Sequence, residues 1–178
     1  MIPLTPEIAL CAIEEQDGEA LRALMRRIYP PAYAHYWEDA GRSYLDSQYN
    51  QQQFLKDCKQ ENAGYYFLCQ GSEKVGIFRW VGGLPLGAME GAFLKIHRLY
   101  LAPEIQGQGI GKLLMRWAEQ LAREQKYSVL WLDVMNKQPQ AFEFYKSLGY
   151  QYYAHCELNF EKLYKDYRTM SQLYKRIT

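Results

Sequence analysis

What this chain lacks narrows its possibilities before any motif is considered. It lacks an excess of charge: 21 Lys and Arg stand against 20 Asp and Glu, a net charge of +1. No nucleic-acid partner is expected, because there is no basic footprint for a polyanion or an anionic lipid surface. Long apolar runs are missing too. The stretch Ile8 to Ile13 is too short for a membrane span, and Met1 to Leu10 carries no basic residue. The expectation is a cytoplasmic protein with no membrane partner. Cys11, Cys58, Cys69 and Cys156 form no C-x-x-C pair and are taken as reduced thiols. Nothing in the composition marks a linker, repeat or low-complexity tract, so residues 1–178 are expected to fold as one domain around one core.

Several catalytic motifs are also absent. There is no G-x-x-x-x-G-K-[ST] loop and no G-x-G-x-x-G followed by an acidic strand end, which disfavours ATP and NAD as ligands. There is no H-E-x-x-H pattern, so no metal is expected, and no G-x-S-x-G elbow for a serine nucleophile.

What is present is a helical first third followed by strands. Ile8–Ile13 alternates as a strand, and Asp17 stands where it can cap a helix with the apolar stripe Ala20, Leu21, Leu24, Met25 and Ile28. Pro30-Pro31 should end that helix. Short helices are expected at residues 31–37 and 50–59, then a hairpin of residues 65–69 and 75–81 turning at Gly71-Ser72-Glu73. Phe93–Leu101 reads as a strand stopped at Pro103, Gly109–Glu124 as an amphipathic helix, and Val129–Met135 as a buried strand. A helix from Pro139 to Leu148, an extended stretch from Tyr150 to Phe160 and a last strand from Met170 to Arg176 complete the pattern. The order implies an α/β (α+β mixed) fold with a central mixed, mostly antiparallel sheet flanked by helices.

The informative segment is Gln106-Gly107-Gln108-Gly109-Ile110-Gly111-Lys112, between a strand and an amphipathic helix. Glycines let a backbone turn tightly against a ligand, and the free N–H groups of a helix start offer donors to a pyrophosphate. A bare glycine-rich turn with no ligand is the alternative. In its context this segment resembles the Q/R-x-x-G-x-G/A signature of the GNAT family of N-acetyltransferases, matched by Gln106, Gly109 and Gly111. Ile96–Glu104 resembles the family's signature strand with its proline stop. Trp131-Leu132-Asp133-Val134 followed by Ala141–Tyr150 resembles its next strand and helix. The overall layout is similar to bacterial polyamine acetyltransferases of the PaiA type.

The resemblance implies an enzyme that transfers acetyl from acetyl-CoA (coenzyme A) to a primary amine by direct attack. Backbone at Leu99, Tyr100 and Leu101 would hold the pantetheine, and Gly107, Gln108, Gly109, Ile110, Gly111 and Lys112 the pyrophosphate. Lys112 is equally readable as a solvated lysine. Tyr145 matches the tyrosine that protonates the departing thiolate, or else is a core aromatic. Gln138 replaces the family's asparagine on the cofactor arm. Asp133 stands where some relatives carry a carboxylate base, and His97 is a second candidate because its ordinary pKa suits proton transfer; either is also readable as structural. Lys95 departs from the glutamate frequent in PaiA-like relatives.

The acceptor implied is a small polyamine or similar alkylamine, with Tyr33, Tyr36, Trp37, Tyr44 and Tyr49 facing the cation and Glu38, Asp39 and Asp46 pairing with a distal ammonium. A packed aromatic cap with a solvated acidic rim is the other reading. A protein amino terminus or lysine is the alternative acceptor, and a non-catalytic acyl-CoA sensor the alternative function. The sequence does not set the oligomeric state, a homodimer being compatible with it.

Overall fold

The computed structural model describes all residues, 1–178, and its centre is one eight-stranded sheet. The strands are β1 (Ile2–Pro3), β2 (Ile8–Ala12), β3 (Ala63–Gln70), β4 (Glu73–Gly82), β5 (Phe93–Leu101), β6 (Val129–Met135), β7 (Gln151–Glu157) and β8 (Thr169–Arg176). Their order is β1-β2-β3-β4-β5-β6-β8-β7, and only β5 and β6 run parallel. The helices are α1 (Gly18–Tyr33), α2 (Arg42–Gln48), α3 (Gln51–Cys58), α4 (Ile110–Glu124) and α5 (Pro139–Ser147).

Helix α4 forms because its apolar positions recur at helical spacing, burying Ile110, Leu114, Met115, Ala118 and Ala122 along one stripe. That stripe packs on the sheet, with the Trp117 ring edge-on to Tyr66 and Phe78 at 5.7 Å each. The opposite face is covered by the first third of the chain. There Arg98 lies against the Tyr49 ring, and Tyr100 meets Tyr29 and Tyr33.

Helix α1 differs from expectation at its end. It runs through Pro30 and Pro31 to Tyr33, although each proline lacks an N–H to donate and crowds the preceding turn. Both prolines fall in the last turn, and Tyr29 holds that turn by stacking on Tyr33 at 4.7 Å and on Tyr44 at 4.9 Å. Asp17 precedes α1 but does not cap it. Its carboxylate accepts from the Glu14 N–H at 2.9 Å, closing a capping box over the 3-10 turn Glu15–Asp17. Helix α2 was invisible in the sequence because it buries a single residue, Leu45, and so shows no stripe.

Two irregularities in β5 shape the site. Arg79 pairs with Arg98 while Trp80 pairs with Ile96, so His97 is an extra, bulged residue; a bulge bends its strand and re-aims its side chain. On the other edge, β5 pairs with β6 only from Phe93↔Val129 to Ile96↔Leu132. Beyond that point β5 follows β4 as far as Leu101↔Gly76, while β6 follows β8 as far as Met135↔Met170. The two parallel strands therefore part into a V.

Since α4 anchors the end of the glycine loop, its packing should matter to the whole fold. Leu114→Ala, at a fully buried position, is expected to lower unfolding stability by about 2–5 kcal/mol in urea titration, without changing the far-UV spectrum of the folded protein. A loss below about 1 kcal/mol would show that α4 is not anchored as described.

Candidate active site

The glycine loop is built to present donors. Gly107 and Gly109 have φ of +74° and +79°, and a Cβ at either would meet nothing within 4 Å, so space is open above the backbone. Glycine relieves the strain of that conformation. None of the six consecutive N–H groups from Gly107 to Lys112 has an acceptor within the protein. The turn is braced from below: the Gln106 side chain donates to the Leu101 carbonyl and that of Gln108 to the Glu104 carbonyl, both at 2.8 Å. Glu104 in turn pairs with Arg27 of α1 at 2.6 Å. Gly111 serves a different purpose, since a Cβ there would come within 3.3 Å of Phe144 on α5. An array of free N–H groups at a helix start suits a diphosphate. Lys112 is exposed at its rim, and Ile110 is buried beneath it.

The V between β5 and β6 lies next to this loop. Leu99 and Leu101 are half-buried on the α4 face, while Tyr100 points to the other face, its hydroxyl 3.1 Å from that of Tyr44. From His97 to Leu101 the β6-facing edge of β5 has no strand partner, which leaves backbone polar groups free for an extended ligand.

Tyr33 is a meeting point that the sequence did not mark as one. Its ring is edge-on to Tyr100 at 5.6 Å. The Gln138 amide approaches the Tyr33 and Tyr36 hydroxyls closely enough to offset part of the rise in their pKa that burial causes. Tyr145 lies near enough to Tyr33 to feel its charge. Burial first, and Tyr33 second, push the Tyr145 phenol well above the ordinary tyrosine range, and it has no hydrogen-bond partner within the protein. Tyr145 is thus a neutral donor packed between Phe144 and Tyr150.

Asp133 and His97 are the first residues beyond the last β5–β6 pair, one on each arm of the V. Their surroundings differ. Asp133 is gripped by Lys95, Nζ to Oδ2 at 2.6 Å, and also accepts from Gln172 at 3.3 Å and Cys156 at 3.6 Å. The Lys95 ammonium also sits 4.2 Å from the Trp131 ring centre. Lys95, the departure noted in the sequence, is therefore the ion-pair partner of Asp133. His97 is exposed on its cavity side. Loss of solvent around the rest of the ring first, then the cations of Arg98, Arg79 and Lys95, lower its pKa below the ordinary 6.5. Its Nδ1 lies 2.7 Å from an Arg79 nitrogen; since a guanidinium can only donate, Nδ1 accepts and the ring proton rests on Nε2.

The acids expected to hold an ammonium are occupied elsewhere. Asp39 accepts from the Gly41 and Ser43 N–H groups, Glu38 pairs with Lys162 at 3.6 Å, and Asp46 pairs with Arg26 at 3.5 Å. Tyr36, Trp37 and Tyr49 are buried as a packed cap. The cavity beside His97, about 660 Å³, is instead lined by Arg79, Arg98 and Asp57. None of these three had been singled out as a site residue. The available signal was a lone charge within an otherwise apolar strand, as in Val75–Val81.

Comparison with known proteins agrees with this geometry. The chain is 27% identical over 145 residues to an uncharacterized N-acetyltransferase from the pepI 3′ region of Lactobacillus delbrueckii subsp. lactis, covering 80% of this chain and 83% of that one. It is 34% identical over 100 residues to human N-acetyltransferase 8B, spanning 55% of this chain and 41% of that protein. Among solved structures, PaiA N-acetyltransferase from Thermoplasma acidophilum in complex with coenzyme A superposes with a TM-score of 0.73 at 19% identity, over 95% of this chain and 98% of that one. Spermidine N-acetyltransferase from Vibrio cholerae in complex with CoA and spermine gives 0.68 at 16%, over 97% of each. The Acetyltransferase (GNAT) family model matches residues 19–150: the chain belongs to that family and is an acetyl-CoA-dependent N-acetyltransferase.

Proposed function

We propose that the chain transfers acetyl to a primary amine by direct attack within the V, with Tyr145 as the acid and Asp133 as the group that receives the amine's proton. The observation that carries this reading is the coincidence of the parted strands with six unpartnered N–H groups next to them. When bound, acetyl-CoA supplies a thioester carbonyl open to attack and a thiolate that must be protonated as it leaves. The N–H groups of Gly107–Lys112 suit its diphosphate, and the free edge at Leu99, Tyr100 and Leu101 suits its pantetheine. Gln138, at the start of α5, lies close to the Tyr33 and Tyr36 hydroxyls, and on this reading its amide is the one that faces the cofactor arm.

Tyr145 holds its proton at every relevant pH and can hydrogen-bond a developing thiolate without adding charge to the cleft. An alkylamine with a lysine-like pKa is nearly all protonated at pH 7. Asp133 offers a carboxylate at the mouth of the V; Lys95 is the one partner of its Oδ2, which leaves that oxygen a second lone pair to draw the proton off. His97 is less suited, because its accepting nitrogen is engaged by Arg79 and its other nitrogen already bears hydrogen. A polyamine remains one acceptor to test. The aromatic wall supports it, whereas the engagement of Glu38, Asp39 and Asp46 weighs against it.

Acetyl-CoA should raise Tm through the glycine loop, since a ligand that binds only the folded state stabilises it. Gly109→Val, which places a branched side chain at φ +79°, is expected to abolish that rise. An undiminished rise would move the diphosphate elsewhere.

Tyr145→Phe is expected to lower kcat by on the order of 10²-fold and to leave the KM for acetyl-CoA nearly unchanged. Full turnover in this variant would make Tyr145 a packing residue only.

Asp133→Asn should depress kcat more than His97→Gln does. The latter variant carries a further signature. Because the folded pKa of His97 lies below its unfolded value, the unfolded chain binds a proton that the folded chain refuses, so stability is full above about pH 6.5 and falls as pH drops below that. His97→Gln should flatten that acid-side decline in Tm. A larger rate loss for His97→Gln would transfer the proton-accepting role to it.

A further inference from the structure

The cavity on the α3 side of β4 and β5 has a charge balance that a polycation would not choose. Arg79 and Arg98 sit directly opposite one another on adjacent strands, and both are buried, at 1% and 5% exposure. Like charges in that relation repel, and buried charges need compensation. Asp57 supplies a single carboxylate for both, bonding Arg79 at 3.3 Å and Arg98 through its second oxygen. Its Oδ1 is further occupied by Gln53 at 2.9 Å, so Asp57 has little left for a ligand.

Arg98 is otherwise well served. It lies over the Tyr49 and Tyr65 rings and bonds the Tyr65 hydroxyl at 3.3 Å. Arg79 is not. Two of its nitrogens meet neutral acceptors, His97 Nδ1 and Gln60 Oε1, and its Nε is buried with no partner at all. Desolvation and the neighbouring Arg98 lower its pKa, against the pull of Asp57. At the rim, Lys56 has no ion-pair partner, and Lys59 has only Glu15 at 3.9 Å across exposed surface. Four cations and one spent carboxylate thus line a cavity that reaches His97 at the apex of the V.

We propose that this cavity holds an anionic group of the acceptor, so that the substrate is a primary amine carrying a carboxylate or phosphate. This rests on the acetyl-transfer reading of the V and adds the acceptor's class. The anion seats against Arg79 and Arg98 and draws in Lys56, and the amine end turns back toward Asp133. Such an arrangement separates the substrate's two charges: the anion in the cationic cavity and the ammonium by the carboxylate. A cavity of this volume admits a small molecule, and its lining, polar or charged except for Val81 and Leu84, favours a polar group over a plain alkyl chain.

The test compares kcat/KM for four acceptors of similar length: an aminoalkanoate, an aminoalkyl phosphate, a neutral alkylamine and spermidine. Hydrogen bonds to charged groups are worth roughly 1.5–3 kcal/mol, so the anionic amines should exceed the neutral one by about 10-fold or more. The first two arms distinguish carboxylate from phosphate. Lys56→Gln, at an exposed position that leaves the core intact, should narrow the preference for anionic amines and spare the neutral alkylamine. Arg79→Gln should abolish the preference; if it unfolds, the Lys56→Gln result stands alone. Equal rates for anionic and neutral amines, or a preference for spermidine, would overturn the proposal. The rise in Tm with acetyl-CoA alone separates this failure from failure of the acetyl-transfer reading. If that rise is present and the anionic preference is missing, only the acceptor class is wrong; if the rise itself is missing, the V is not the donor site.

Discussion

The constraint on which the rest depends is the failure of β5 and β6 to pair beyond Ile96 and Leu132. A parallel pair buried on both faces ordinarily continues as long as both strands last, because unpaired backbone groups are costly to bury. Here each strand keeps one partner, β4 or β8, and gives up the other. The resulting edges remain exposed to a cleft instead of to the core, which is the condition under which free N–H and C=O groups are tolerated. The glycine loop follows directly from the end of β5, and α4 carries it back to the sheet. Donor array and open edge are therefore consecutive parts of one chain segment.

Much of this was legible in the sequence because local rules and the tertiary arrangement agree there. The stripe of α4, the apolar run of β6, the proline after Leu101 and the glycines at positive φ each state their structure in a few residues. The misses have a common cause. Pro30 and Pro31 lie inside α1 because packing by Tyr29, Tyr33 and Tyr44 overrides the local breaker. Helix α2 hides because it buries one side chain. Arg79, Arg98 and Asp57 share a cavity only because the bulge at His97 brings Arg98 opposite Arg79, and register is not written in periodicity. The ion pair of Lys95 with Asp133 was missed for the same reason: the two residues meet across parallel strands.

The aromatic first third illustrates how one composition serves two readings. Tyrosines at helical spacing suggest a surface for a cation, and the structure uses most of them to build a wall. Tyr29 is part of that wall: its hydroxyl receives the Trp37 indole N–H at 2.9 Å, and its ring stacks on two neighbours. What that wall supplies is rigidity: Tyr100 on β5 is held from the side away from α4, so the edge of the V is set before any ligand arrives, and less ordering is required on binding.

Arg27 joins the two halves of this arrangement. It sits on α1, whose far end carries the tyrosine wall, and it grips both Glu104, just before the glycine loop, and the Lys74 carbonyl at 2.7 Å. Exposed pairs of this kind contribute little to stability, so the tie biases the loop toward one position without fixing it. The tie is a soft latch. Being open to solvent, it weakens as mobile ions gather around it, so the loop holds its donors in place more firmly in dilute solution than in concentrated salt.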